Sequence, residues 1–392
     1  MDKFGLDYLK LNSRSAFLVA CSFPILIASL RWYHHGRDIS IFILAGDAKV
    51  DKSLHPFDIK ILESSTGYDG QYFYQLALNP FSTDENGYGI KSQYDIRKQR
   101  IFYPLVVFVA SLGNQEIVPH MMVMINLIAF FISFYFIQKL LIYYNSSPNH
   151  VILWALFSGP YIAFSRNLAE AVAICLVIMA MYSWSNRRRA SFIIIMTLAL
   201  FTRDDTLIVL FPFWFYLLWE EYKEARIKVL NFCILILPLL SLLVWKYYII
   251  SNYGVYRPVQ FTNVPLSGLI LGIVQIWNNA QLEVKNYLFL FYILGFLIWH
   301  IWTIKYALSF LTKKGGVFNF LLSISFGIWM ILALFFTSEI FSDDAGFGRI
   351  LSTLTLICFL LIILNTNKIN SLYSYYTFGT FIAVSSKIII FL

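Results

Sequence analysis

The chain has 392 residues, of which 59% are hydrophobic and 13% charged, and it carries a net charge of +8. A soluble domain needs about 25% charged residues to cover its surface, so the composition excludes a soluble globule and implies an all-α polytopic membrane protein. The positive surplus is not a nucleic-acid footprint, because the lysines and arginines stand in short clusters between apolar runs, where topology determinants lie. Those runs are continuously apolar rather than alternating, which selects helices over a β-barrel. Cys21, Cys175, Cys233 and Cys358 all fall inside apolar runs without metal-type spacing and read as packing residues. With no internal repeat or low-complexity linker, residues 1–392 are expected to form one transmembrane domain.

In chain order, Lys3, Lys10 and Arg14 precede an apolar run with no small-residue cleavage site after it, so residues 15–30 are expected as a first span. Residues 31–100 form a long first extracytoplasmic loop, the largest polar interval in the chain. Within it, residues 70–78 read as a short amphipathic helix lying on the membrane surface. Tyr72, Phe73, Leu76 and Ala77 share one face, Gln71 and Gln75 the other, and Asn79-Pro80 ends it. Residues 101–112 are apolar but short for a span. Further spans are expected at 118–140, 151–164, 168–184, 190–201, 207–219, 229–250, 287–304, 318–336, 350–364 and 372–392.

Orientation depends on 101–112. If that segment crosses, Arg187-Arg188-Arg189 falls outside, against the positive-inside tendency. If it dips in and returns, Lys139, Arg187 to Arg189, Lys223 to Lys228, Lys305 to Lys314 and Lys368 gather inside with the amino terminus. The second arrangement gives about eleven spans and a re-entrant segment.

That arrangement leaves a mixed-sign set on the outer face: Asp69, Glu170, Asp204, Asp205, Asp343 and Asp344 against Arg100, Arg166, Arg203, Arg257 and Arg349. Carboxylates can act as bases and arginines can hold a phosphate bidentately. Asp69 reads both as a base beside an arriving lipid head group and as N-cap of the helix that starts at Gly70, and the two roles are compatible. Arg97 and Lys98 read as snorkelling interface anchors, whereas Arg100, beside Tyr103-Pro104, is the phosphate candidate. Arg166 and Glu170, four apart on one helix face, read equally as a structural ion pair and as site residues. Thr202-Arg203-Asp204-Asp205 carries more charge than a tight turn needs. Asp343-Asp344 could hold a divalent cation but sits in a glycine-bearing loop, Arg349 heads an apolar run, and Arg257 belongs with an interfacial aromatic belt. There is no zinc-binding histidine pair, nucleotide-cradling glycine loop or serine-nucleophile elbow. The missing nucleotide cradle argues against a pump and against a transferase using a soluble nucleotide sugar.

Tyr68-Asp69-Gly70-Gln71-Tyr72-Phe73-Tyr74, Arg100-Ile101-Phe102-Tyr103-Pro104-Leu105, Leu168-Ala169-Glu170-Ala171 and Thr202-Arg203-Asp204 together resemble a family of bacterial polytopic proteins. Their pattern is Tyr-Asp-Gly-Gln-aromatic-aromatic, Arg-x-x-Tyr-Pro-Leu, a Glu early in a span, and Thr-Arg-Glu. More distantly the chain is similar to the mannosyltransferases that extend glycosylphosphatidylinositol; both belong with the GT-C glycosyltransferases. The resemblance covers the first 220 residues in order, and the remainder matches only as hydrophobic spans. It implies a GT-C-like helical bundle in the bacterial inner membrane, with the catalytic carboxylate, matched by Asp69, in the first outer loop. It also implies a polyprenyl-phosphate sugar as donor. Asp204 stands where the looser pattern has Glu. A lone acid in the first-loop motif, rather than a pair, leaves the use of a divalent cation open.

The expected function is an inverting, outward-facing glycosyltransferase that moves a sugar to a glycan, lipid or protein acceptor. Asp69 would be its base, with Tyr68, Gln71, Arg100, Tyr103, Arg166, Glu170, Arg203, Asp204 and Arg349 around the substrate. Its partners would be the lipid donor, the acceptor and membrane lipids, with no nucleic acid. The competing readings are a flippase of lipid-linked sugars, which would need charges accessible from both faces and often repeated halves, and a polysaccharide polymerase or ligase, which shares the chemistry.

Overall fold

A computed structural model describes residues 11–55, 57–92, 94–223, 229–254, 261–262, 264–279, 284–312, 316–342, 344–366 and 371–390. The chain is mostly helical. In order the helices are α1 (Ser13–His34), α2 (Gly70–Leu78), α3 (Tyr94–Arg97), α4 (Phe102–Ala110), α5 (Val118–Tyr143), α6 (His150–Ala155), α7 (Ser158–Phe164), α8 (Glu170–Ser185) and α9 (Arg189–Thr202). They continue with α10 (Thr206–Lys223), α11 (Val229–Tyr253), α12 (Ser267–Asn279), α13 (Val284–Thr312), α14 (Val317–Ala333), α15 (Ser338–Ser342), α16 (Asp344–Ile350), α17 (Ser352–Thr366) and α18 (Ser371–Ile390). Two short parallel strands, β1 (Ala45–Gly46) and β2 (Ile61–Leu62), pair within the first loop.

Among the described residues, Ser13–His34, Gln115–Tyr143 and Cys233–Tyr253 are long and apolar enough to cross a membrane, and further apolar helices run 10–17 residues. By length and apolar composition together, the described residues supply three candidate crossings. Asn12 starts α1 by accepting a hydrogen bond from the Ser15 amide at 2.8 Å. α4 has nine residues, about 14 Å of helix, and cannot cross a hydrocarbon core of about 30 Å.

Two expectations are corrected. The span at 151–164 is not one helix: α6 stops at Ala155 and α7 restarts at Ser158. Ser158-Gly159-Pro160 opens the new first turn, where proline's missing N–H costs nothing. Nor is α2 a surface helix. Gln71, Phe73, Tyr74, Gln75, Leu76, Ala77 and Leu78 are all buried, and α2 packs on α4 and α5. Its polar face is covered by the loop. Gln75 Nε2 donates to the carbonyls of Glu85, Gly87 and Ile90, while Gln71 bonds Thr66 and Gly46. The two amides satisfy backbone groups that the irregular loop would otherwise bury unpaired. Short helices α12, α15 and α16 lie where no span was expected.

α8 and α17 form the centre of the bundle, buried on almost every side, as expected of helices apolar all round. α8 packs against α5, α7, α9, α10 and α17. The first and last helices are tied by Arg31, whose guanidinium donates to the carbonyls of Ile388 in α18 and Ile41 in the loop, at 2.5 and 3.2 Å.

Candidate active site

The Asp69 end of the bundle is built by close backbone approach. A Cβ on Gly70 would lie 2.1 Å from the Arg166 carbonyl oxygen, so the start of α2 rests directly on the turn between α7 and α8. A Cβ on Gly159 would lie 2.4 Å from the Gly348 carbonyl oxygen, so α7 and α16 touch backbone to backbone. Only glycine allows either contact. Together they bring the first loop, the α7–α8 turn and α16 to one place.

Asp69 occupies the N-cap position of α2, but its side chain makes no capping bond. The carboxylate instead faces two arginines: Oδ1 lies 2.8 Å from Arg97 Nη2 and Oδ2 lies 2.7 Å from Arg349 Nη1. The compatible double role read from the sequence is thereby corrected, because both oxygens are committed elsewhere. Arg97 is no interface anchor, and its guanidinium also lies 4.9 Å over the Tyr72 ring. Lys98 is buried rather than snorkelling, with Nζ donating to the Ser82 carbonyl and the Tyr253 hydroxyl.

From Arg349 the network continues. Its Nε is 3.5 Å from Glu170 Oε1, Glu170 pairs with Arg203 Nη1, and Arg203 forks onto both oxygens of Asp205 at 2.9 and 2.8 Å. Two guanidinium groups lie over the Tyr68 ring, Arg166 at 4.8 Å and Arg349 at 5.3 Å from its centre. Arg166 and Glu170 do not share a helix face. Arg166 lies in the turn after α7, its Nη1 donating to the Ile162 carbonyl, while Glu170 begins α8. Asp204 points to Lys246 at 3.4 Å and is half exposed. Arg100 has no ion pair among the described residues, although Glu170, Asp204, Arg203 and Arg349 are its electrostatic neighbours.

Gln71 and Tyr103 turn inward. The Gln71 amide holds the loop, and the buried Tyr103 hydroxyl accepts from Asn126 at 3.0 Å and donates to the Met122 carbonyl at 3.3 Å. Asn167 escaped the sequence reading. It is fully buried with φ +48°, next to Arg166, and neither end of its amide has a hydrogen-bond partner. An asparagine tolerates that backbone better than most residues, and a buried amide with unmet donors and acceptors is rare in a folded protein. Arg257 and Asp343 lie outside the described residues, as does the side chain of Asp344. Among the described residues no three acidic, histidine or cysteine side chains gather as a metal-binding set.

The electrostatics follow from the pairing. Burial by itself raises a carboxyl, but Arg349, Arg97 and, further off, Arg100 outweigh it and hold Asp69 well below the usual carboxylate range. The site can thus keep an anion at neutral pH and offer several guanidinium groups to a second anion. Arg97, Arg100, Arg166, Arg203, Arg349 and Lys246 outnumber Asp69, Glu170, Asp204 and Asp205. Comparison of the chain with family models, with curated proteins and with solved structures returned no match.

Proposed function

We propose that the chain is an integral membrane glycosyltransferase that takes a sugar from a polyprenyl-phosphate donor. The observation that carries this reading is the Asp69 carboxylate clamped by Arg97 and Arg349, beside the Glu170–Arg203 pair and Arg100, which has no ion pair among the described residues. A carboxylate and a surplus of arginines in one partly buried place is the equipment that transfer from a lipid phosphate needs. In the reaction, Asp69 accepts the proton of the acceptor hydroxyl. The acceptor oxygen bonds to the anomeric carbon from the face opposite the phosphate. The carbon–oxygen bond to the phosphate breaks, and its electron pair leaves with the polyprenyl phosphate. Arginines stabilise that growing charge.

Clamped by two arginines, Asp69 is a weak base. A donor phosphate would compete for the same guanidinium groups and, by drawing them off, return basicity to the carboxylate when substrate is present. In this reading the shorter apolar helices cross together with the long ones, giving about eleven crossings, and the Asp69 end faces outward in a bacterial inner membrane. The flippase reading fits less well, since the candidate charges collect at one end of α8 and α9. A polymerase or ligase would use the same site.

The test is transfer of radiolabelled sugar from a polyprenyl-phosphate donor in membranes containing Asp69→Asn, with folding checked by gel filtration in detergent. A loss of about 10²–10⁴-fold is expected for a base of this kind. Turnover near wild type in the folded variant refutes the assignment.

A further inference from the structure

A cavity opens at the other end of the same helices. It has a volume of about 460 Å³ and lies between the last turns of α5, α8 and α10 and the first turns of α9 and α14. α8 alone, with 16 residues, separates it from the Asp69 end by about 24 Å. Its wall is aromatic, with Tyr144, Trp184 and Tyr216 among the lining side chains, and its charge comes from Arg187, Arg189 and Glu220. Arg189 is committed to Glu220 and Glu221. Arg187, exposed and with a backbone φ of +56°, lines the cavity and has no ion pair among the described residues. Two polar atoms of the lining residues are buried without a hydrogen-bond partner: Trp184 Nε1, a donor, and Asn319 Oδ1, an acceptor.

The geometry points to a binding site for a phosphodiester whose head group carries a hydroxyl or ammonium donor. The cavity is the size of a small-molecule site. Arg187 and the Trp184 N–H supply donors for phosphate oxygens, the pairing that arginine suits best. Asn319 Oδ1 and the Glu220 carboxylate supply acceptors for the far end of the head group, which a choline cannot satisfy because it has no hydrogen to donate. An aromatic and basic pocket between helix ends is also where anionic lipid head groups bind. A glycerophospholipid and a soluble glycerophosphodiester share this chemistry.

Native mass spectrometry of the full-length protein in detergent tests the site. The titrants are phosphatidylglycerol, phosphatidylcholine and soluble glycerophosphoglycerol. One phosphatidylglycerol per chain is expected to be retained at least about 10-fold more strongly than phosphatidylcholine. The double variant Arg187→Ala with Trp184→Phe, which keeps an aromatic wall, should lose that preference, as should Asn319→Leu. Displacement of the lipid by glycerophosphoglycerol upholds the phosphodiester chemistry and assigns the natural ligand to solution; failure to displace assigns it to the membrane. Equal retention of the two lipids, or unchanged retention in variants with wild-type melting, overturns the proposal.

Discussion

α8 and α9 are consecutive packed helices, and arginines stand at both ends of the pair, in opposite circumstances. At the Asp69 end, Arg203 has 6% of its side chain exposed and pairs with Glu170, itself 2% exposed, and with Asp205. At the other end Arg187 and Arg188 are exposed, and Arg189, 39% exposed, reaches the partly exposed Glu220 and the buried Glu221. Exposed pairs contribute about 0–1 kcal/mol because water and salt screen them. A buried pair that loses one partner leaves an uncompensated charge, at a cost of about 3–5 kcal/mol. The same residue type therefore does two jobs, and desolvation decides which. The exposed Arg188 suits the topogenic role read from the sequence, while the buried arginines are costly enough to imply a function.

This contrast can be broken by substitution. After Asp69→Asn, the largest effect is expected from Arg349→Ala, which removes a partner from Asp69 and from Glu170 and a guanidinium from the Tyr68 ring. It should destabilise the protein by about 3 kcal/mol, visible as a lower melting temperature in detergent. Melting within a degree of wild type would mean that the buried network is not holding the site. Gly70→Ala changes no charge, yet its methyl group would meet the Arg166 carbonyl. A loss of about 1–3 kcal/mol, accompanied by loss of transfer, is expected, and a neutral result would show that the α2 start does not rest on that turn. At the other end Arg188→Gln should move stability by no more than about 0.5 kcal/mol, and a large shift in melting would erase the contrast.

The smallest effect concerns pH. Asp69 is held below its unfolded value, and an unfolded aspartate titrates near 3.9, roughly. A depressed folded pKa contributes stability that is fully present above the unfolded value and is lost as pH falls through the folded one. The melting difference between wild type and Asp69→Asn should therefore stay constant from about pH 8 to 5 and shrink only below about pH 4. A difference that narrows between pH 7 and 5 would place Asp69 outside the clamp.

Much of the Asp69 end is legible in the sequence. A polar interval with a lone acid between glycine and aromatic residues stands out in an apolar chain, and so do Glu170 and Arg203 at the edges of apolar runs. The partner of the acid is less legible. Arg97 and Lys98 are adjacent and alike in charge, but one turns to Asp69 and the other to Ser82 and Tyr253. That choice follows from the direction in which α3 hands over to the next turn, which no local pattern reports. Burial of α2 was hidden for a related reason. Its periodicity describes one apolar face, whereas the polar face is covered by loop carbonyls that Gln75 gathers from ten to fifteen residues downstream. The α6–α7 break did have a signal, Ser158-Gly159-Pro160, masked by the apolar residues on either side.

The Asp69–Arg349 pair joins residues 280 apart in the chain. At synthesis rates of about 5–20 residues per second, Asp69 leaves the ribosome roughly a quarter of a minute to a minute before Arg349 exists. For that interval the acid has Arg97 but not its second clamp. The ion-pair network is thus completed only when α16 docks on α7 through the Gly159–Gly348 contact, a late event of biogenesis. Until then the nascent chain carries the acid with its clamp half built, so a chain stalled in that window would hold Asp69 without Arg349.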